Sequence, residues 1–327
     1  MSKKYVVAVV GATGAVGQEI IEVLEELNFP IEKLVPLASA NSIGKTVSYK
    51  GFDIDVQELT DDVFAKEGVE IALFSAGGNV SARYAESAVK AGAVVIDNTS
   101  HYRMETDIPL VIPEVNPEDI KDCAKRGIIA NPNCSTIQMV TALKPLDEAF
   151  DIERIDVATY QATSGAGAVA MEELLNQMRK FFEFKLDKSL VKKFPHQIAL
   201  NVIPQIDSFT DNGYTKEELK MVNETQKIMH KNIQLSATCV RVPLLRGHSE
   251  AVTVKFKKVV DLEVAKKALA EGKNIVIMDD IANNIYPMPI ETSGKNEVFV
   301  GRIRKDLSDE KMLHFWVVAD NLRVGAA

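Results

Sequence analysis

The chain has 327 residues, 46% hydrophobic and 26% charged, enough for two domains with sizeable cores. Its net charge of −8 and pI near 5.3 argue against nucleic acid or an anionic membrane as partner, and its basic residues are scattered. Three cysteines without CxxC spacing argue against a disulfide framework or a cysteine zinc site, so no metal is expected and a reducing cytoplasm is.

The start, Met1-Ser2-Lys3-Lys4-Tyr5, runs straight into a strand with no visible signal peptide. No apolar run approaches the roughly 20 residues of a membrane span. Tyr5 to Val10 is continuously apolar, as expected of a parallel strand covered on both faces. It ends in Gly11-Ala12-Thr13-Gly14-Ala15-Val16-Gly17, after which Ile20, Ile21, Leu24 and Leu27 mark one face of a helix. Strand, glycine turn and helix make a dinucleotide-binding opening, in which glycines let a pyrophosphate approach the N–H groups at the helix start. The spacing is GxxGxxG rather than GxGxxG, and a plain tight turn is the other reading.

A second strand, Leu34 to Ala38, runs into Ser39-Ala40-Asn41-Ser42-Ile43-Gly44-Lys45. An acid at this point would accept the ribose hydroxyls of NAD; none is present, which favours NADP over NAD, although an ordinary polar loop reads the same way. Val69 to Phe74, a helix with Ala82, Ala85, Ala88 and Val89, and Ala93 to Ile96 continue the alternation. The pattern predicts an α/β fold with an N-terminal Rossmann-like, doubly wound sheet, whose ligands bind beyond the carboxyl ends of the strands.

The run Ile128-Ile129-Ala130 reads as a short buried strand leading into Asn131-Pro132-Asn133-Cys134-Ser135-Thr136. The apolar positions Ile137, Met139, Val140, Leu143 and Leu146 predict a helix beginning at Ser135 or Thr136. Cys134 would then sit at a helix mouth, where N–H groups and the macrodipole favour its thiolate. A buried cysteine that merely packs is the alternative. After about residue 150 the pattern becomes α+β. Arg154 to Ala162 reads as a strand before Thr163-Ser164-Gly165-Ala166-Gly167, and Ala237 to Leu245, Ala251 to Lys258 and Val298 to Arg304 as longer strands. A mainly antiparallel sheet is expected here, with Thr238–Val242 and Val252–Phe256 as hairpin partners.

Several further positions carry chemistry. Gln161 ends a strand, Glu217 and Lys220 face the same way on a helix from Thr215 to about Ile233, Arg241 lies in Arg241-Val242-Pro243, His248 follows Arg246-Gly247, and Arg103 follows His101-Tyr102. Each also has a bland reading: a solvated helix face, a surface ion pair or a turn cap.

Read together, Asn131-Pro132-Asn133-Cys134-Ser135-Thr136, Arg241-Val242-Pro243 with Gly247-His248-Ser249, and Asn321-Leu322-Arg323 before Gly325-Ala326-Ala327 resemble the aspartate-β-semialdehyde dehydrogenase family over nearly the whole chain. The resemblance implies NADP-dependent reductive dephosphorylation of aspartyl phosphate to aspartate β-semialdehyde through a cysteine thioester, on the way to lysine, threonine and methionine. It implies Cys134 as nucleophile, His248 as general acid/base with an ordinary imidazole pKa, and Gln161 orienting the acyl group. Arg241 would take the substrate carboxylate, Glu217 its ammonium, and Arg103, Lys220 and Asn133 the phosphate. Gly11, Thr13, Gly14, Ala15, Val16, Ser39, Asn41, Ser42, Ser164, Gly165 and Asn321 would contact the cofactor.

The implied division is an NADP-binding domain over 1–132, joined by about 306–327, and a catalytic and dimerisation domain over 133–305. The implied assembly is a homodimer or a homotetramer built from it. Two departures stand out. Relatives often carry Arg-Ser where this chain has Asn41-Ser42, which lowers the expected discrimination against NAD. Relatives also continue through a helix after Ala327, so the sequence is expected to stop short of a natural end. Two rivals are a reductase of another acyl phosphate, such as N-acetylglutamyl phosphate, and a non-catalytic NADP-sensing protein. An acetylated amine would give Glu217 no charge to hold, and a sensor would not need a thiol, an imidazole and two phosphate-type cations together.

Overall fold

A computed structural model describes residues 3–327; Met1 and Ser2 of the opening stretch lie outside the described residues. The chain forms two compact units, Met1–Asn133 with Ala326–Ala327, and Cys134–Gly325. The first runs β1 (Tyr5–Val10), α1 (Ala15–Glu26), β2 (Ile31–Ala38), β3 (Thr46–Tyr49), β4 (Phe52–Asp55), β5 (Gln57–Glu58), α2 (Val63–Glu67), β6 (Ile71–Phe74), α3 (Gly78–Lys90), β7 (Val94–Asp97) and β8 (Ile128–Ala130).

Strands β5-β2-β1-β6-β7-β8 form a six-stranded sheet in that order, and every neighbouring pair is parallel. Val7, Ala8, Val9 and Val10 are completely buried, as in a central strand covered on both faces. The sheet grows to one side of β1 with β2 and to the other with β6. The carboxyl end of β1, with its glycine turn, is therefore the topological switch point where such folds bind ligands. Gly11 turns the chain at φ +90°, a conformation that favours glycine. A Cβ on Gly17 would lie 2.8 Å from Ala12 Cα, so only glycine lets α1 pack this closely on the end of β1.

The second unit runs α4 (Cys134–Phe150), β9 (Ile152–Gln161), α5 (Ala168–Phe182), α6 (Lys216–Met229), β10 (Gln234–Arg241), β11 (His248–Phe256), α7 (Leu262–Glu271), β12 (Ile275–Ile277), α8 (Pro289–Thr292), β13 (Val298–Lys305) and β14 (Met312–Ala319), with α9 (Arg323–Ala326) closing the chain. Its sheet has the order β10-β9-β11-β14-β13-β12. Pairs β9–β11, β11–β14 and β13–β14 are antiparallel, while β10–β9 and β12–β13 are parallel. Helix α4 packs against this sheet. Every residue from Ser135 to Leu143 is buried, as in a helix enclosed all round rather than along one stripe.

Two expectations are corrected. Strands β10 and β11 are not hairpin partners, because β9 lies between them. Their connection crosses the end of β9 instead: Val242 N–H donates to Gln161 O at 3.0 Å, and Thr163 N–H to Leu244 O at 2.8 Å. Pro243, without an N–H, could not have continued a hairpin ladder. The stretch 306–327 also does not join the first unit as a whole. Strand β14 pairs with β11 and β13, burying Leu313, Phe315 and Val317, and only Ala326 and Ala327 group with the first unit. An alternating apolar strand needs a sheet to cover, but its pattern does not say which one.

Candidate active site

Three adjacent strands of the second unit set three side chains in one row. Gln161 at the end of β9 is the parallel register partner of Arg241 on β10 and the antiparallel partner of His248 on β11. Residues paired across neighbouring strands present their side chains on the same face, so Arg241, Gln161 and His248 line up at one end of the sheet. All three are buried.

Helix α6 adds a carboxylate to the row. Its start is fixed by a capping box: Thr215 Oγ1 accepts from Glu218 N–H at 3.3 Å, and Glu218 Oε2 accepts from Thr215 N–H at 2.7 Å. Glu218 Oε1 also accepts from Cys239 N–H at 3.0 Å, which fastens the helix start to β10. The next residue back, Glu217, is therefore buried, and its Oε1 accepts from Gln161 Nε2 at 3.1 Å. Lys220 Nζ donates to Glu217 Oε2 and Asp207 Oδ2, both at 3.1 Å. Burial works to lower the Lys220 pKa, but the two carboxylates outweigh it and hold the pKa above the ordinary lysine value. The solvated-face reading of Glu217 and Lys220 thus gives way to a buried carboxylate and its counter-ion.

Arg241 Nη1 donates to Ala162 O at 2.6 Å. Burial lowers its pKa, against the opposing pull of Glu217 and Cys134. Gln161 Oε1 accepts from Thr159 Oγ1 at 2.8 Å, which turns its amide nitrogen toward Glu217. His248 is fully enclosed, and its Nδ1 accepts from Ala162 N–H at 3.1 Å, so the proton of the neutral ring sits on Nε2. Burial first, and then the Arg241 charge, lower its pKa to about 3. The expectation of an ordinary imidazole pKa is thereby corrected: at neutral pH this ring is an uncharged Nε2–H donor.

Cys134 is the first residue of the 17-residue helix α4, one or two residues before the predicted start at Ser135 or Thr136. Gly325 packs directly on it: a Cβ there would lie 2.9 Å from Cys134 Cα. A Cβ on Gly165 would meet Arg241 Nη1 and His248 Nε2, each at 3.2 Å, so these two polar groups converge on a place where only a hydrogen is present. Ser164 Oγ donates to Asn321 Oδ1 at 3.0 Å, and Gly247 N–H donates to the same oxygen at 3.0 Å. Asn321 therefore ties the turn before α5 to the residue before His248. The other two thiols differ in kind. Burial pushes the Cys123 pKa up and that of Cys239 far up, which suppresses their thiolates.

The remaining predicted positions belong to the first unit. Arg103 is buried, with Nε donating to Asn131 O at 2.9 Å and Nη2 to Asn98 O at 2.8 Å. Asn133 is buried as well. Gly11, Gly14, Ala15 and Val16 form the turn and first residues of α1. Gly14 at its N-cap offers no side chain, so first-turn N–H groups remain available to an anion. Thr13 Oγ1 lies 3.2 Å from Ser42 Oγ, with Ser42 buried and Ser39 and Asn41 exposed beside it. A glycine-bounded helix start next to two clustered hydroxyls and no carboxylate suits the pyrophosphate and 2′-phosphate of NADP. Among the described residues, no group of three His, Cys, Asp or Glu is arranged to hold a metal ion, and no helix is long and apolar enough to cross a membrane.

Sequence reasoning missed the layer beneath the row. Thr159, Gln138 and Glu250 are buried polar residues. The available signal was spacing: Gln138 is four residues after Cys134 on a helix, and Thr159 and Glu250 are each two residues from a row member on a strand.

Comparison with known proteins bears on this arrangement. The family description "Semialdehyde dehydrogenase, NAD binding domain" matches residues 6–123, and "Semialdehyde dehydrogenase, dimerisation domain" matches residues 143–324. An aspartate-semialdehyde dehydrogenase of Campylobacter jejuni is 61% identical over 327 residues, covering 100% of this chain and 95% of the relative. The structure of aspartate semialdehyde dehydrogenase II from Vibrio cholerae, complexed with ASA, is similar with a TM-score of 0.95 at 49% identity, covering 99% of this chain and 95% of that one. The Candida albicans aspartate semialdehyde dehydrogenase with NADP is similar with a TM-score of 0.74 at 28% identity, covering 98% of this chain and 95% of that one.

Proposed function

The chain belongs to the aspartate-semialdehyde dehydrogenase family, and from that premise we propose how its own residues carry the reaction. It is an NADP-dependent oxidoreductase that interconverts aspartyl phosphate and aspartate β-semialdehyde with uptake or release of phosphate. The observation that carries the residue assignment is the row Arg241–Gln161–His248, with Glu217 bonded to it and Cys134 at the head of the helix packed on the same sheet.

In the oxidative direction Cys134, as thiolate, attacks the aldehyde carbon. The carbonyl π electrons move onto oxygen, giving a thiohemiacetal oxyanion. His248 donates a hydrogen bond from Nε2–H to that oxygen, which a neutral ring with its other nitrogen occupied can do without changing charge. The oxygen electrons then re-form the carbonyl as the C–H bond breaks and hydride leaves the carbon, which makes the Cys134 thioester; NADP, when bound, would supply the hydride acceptor. Phosphate then attacks the Cys134 thioester, the C–S bond breaks, and the thiolate is regenerated with the acyl phosphate. Arg241 and Glu217 hold the two charged ends of the amino acid, and Gln161, its amide fixed from both sides, sets the carbonyl between them. Arg103, Asn133 and Lys220 are assigned to the phosphate. Gly11, Thr13, Gly14, Ala15, Val16, Ser39, Asn41 and Ser42 of the first unit, and Ser164, Gly165 and Asn321 of the second, are assigned to the cofactor.

The dimerisation-domain match over 143–324 supports a homodimer, and a homotetramer would be a pair of such dimers. A cytoplasmic location belongs to the same reading, since a reducing compartment keeps Cys134 a thiol. The test is phosphate-dependent NADP reduction with aspartate β-semialdehyde. Activity is expected in the wild-type chain and abolished in Cys134→Ala; turnover surviving in that variant would remove Cys134 from the chemistry.

A further inference from the structure

Glu250 is a carboxyl group that the reaction does not use, yet it is completely buried beneath the residues that carry it. It lies two residues beyond His248 on β11 and so faces the same way. It is the register partner of Thr159 on β9, and Thr159 is in turn the partner of Cys239 on β10. A second row, Cys239–Thr159–Glu250, thus underlies the first, Arg241–Gln161–His248. From above, α4 lowers Gln138 onto it, one helical turn in from Cys134 and on the same face. Gln138 is buried, and its Nε2 donates to His248 O at 3.4 Å. The thiol-bearing helix and the imidazole-bearing strand are therefore bridged through this one amide.

Its other end is the informative one. Gln138 Oε1 and both carboxyl oxygens of Glu250 are buried with no partner within strict hydrogen-bond geometry. Burial raises the Glu250 pKa well above that of an ordinary carboxylate, and the neighbouring Gln138 side chain, which pulls it down, does not offset the burial. A neutral carboxyl carries one O–H, and Gln138 Oε1 is an acceptor, so a small side-chain adjustment satisfies both.

We propose that Gln138 and Glu250 are a pair of positioning residues: the Glu250 hydroxyl donates to Gln138 Oε1, which turns the Gln138 amide nitrogen onto the His248 carbonyl and fixes the Cys134 turn of α4 over β11. The inference rests on the assignment of Cys134 and His248 to the reaction. It assigns Glu250 no proton transfer, because an acid that stays neutral throughout only orients its partner. Thr159, bonded to Gln161 Oε1, does the corresponding work one strand away.

The test measures kcat and KM for aspartate β-semialdehyde in Glu250→Gln, Glu250→Leu, Gln138→Leu and the double leucine variant. The isosteric amide of Glu250→Gln keeps the donor and is expected to retain kcat within about 3-fold. Each leucine variant is expected to lose ~10–100-fold in kcat, the scale of a misplaced reacting group, with KM within about 2-fold. The double variant should lose no more than the worse single, since both break the same bridge. A Glu250→Leu chain with wild-type kcat, a Glu250→Gln chain as slow as Glu250→Leu, or multiplying losses in the double variant would each overturn the proposal. If the leucine variants do not fold, Glu250→Gln against Glu250→Asp decides. The amide should keep kcat, and the carboxyl drawn back by one methylene should lose it; the reverse order refutes the bridge. Cys134→Ala, assayed in parallel, separates this outcome from a failure of the underlying assignment.

Discussion

Gln161 and His248 face each other across β9 and β11; Gln161 is held by Thr159 on β9, and His248 by the N–H of Ala162, the residue that follows the strand. Strand β9 and the residue just past its end thus set both the amide and the imidazole, and their relative position follows from the ladder rather than from side-chain packing alone. This explains why the ring can be so thoroughly desolvated and still be oriented.

The desolvation has a pH signature. The folded His248 pKa is about 3 against an ordinary 6.5, so between those values the unfolded chain binds a proton that the folded chain does not. Stability from this group is therefore complete above pH 6.5 and is lost as pH falls through that window, by at most about 1.4 kcal/mol per pH unit. Denaturant midpoints measured against pH should fall more gently over this range in His248→Gln. NMR titration of the wild-type ring near 6.5 would contradict the burial argument.

Gly165 is not in the left-handed region, so alanine there is conformationally tolerable, yet its Cβ would press on His248 Nε2 and Arg241 Nη1 at 3.2 Å. Gly165→Ala is expected to lower kcat/KM for aspartate β-semialdehyde by ~10²-fold while barely moving the thermal midpoint. Unchanged kinetics would mean that neither group works from the position it occupies.

Glu217→Gln keeps a partner for Gln161 and removes the charge. The KM for aspartate β-semialdehyde is expected to rise ~10–100-fold, the worth of a hydrogen bond to a charged group, with the KM for NADP unchanged. The same charge should make an N-acetylated semialdehyde a poor substrate of the wild-type chain. A faster reaction with the acetylated compound would shift the assignment to a different acyl phosphate.

Thr13 and Ser42 offer hydroxyls 3.2 Å apart, and Asn41 beside them carries no charge. Asn41→Arg should lower the KM for NADP by ~10-fold and leave that for NAD nearly unchanged, because only the 2′-phosphate gains a charge-assisted partner. Equal improvement for both cofactors would place the 2′-phosphate elsewhere.

What could be read from the chain was local. The glycine turn after β1 is announced by residues within one strand and one helix, and Cys134 at the head of α4 by the apolar spacing that follows it. The row was not legible. Gln161, Arg241 and His248 stand far apart in sequence, and nothing in the residues of β10 and β11 says that β9 lies between them. The destination of β14 was hidden because a buried alternating strand suits either sheet. Glu250 and Gln138 read as surface positions, since charged and amide side chains are ordinarily exposed. Their burial follows from positions two and four residues from the reacting groups.

Arg241, Gln161 and His248 come from strands whose contacts link residues some eighty positions apart. Such long-range pairings close late, because loop entropy must be overcome before they contribute. The chain emerging during synthesis carries Cys134 well before Arg241 and His248 exist, so the row is completed only when β10 and β11 dock on either side of β9. Turnover and completed folding are thereby coupled, since a half-made chain carries the thiol without the arginine and imidazole assigned to work beside it.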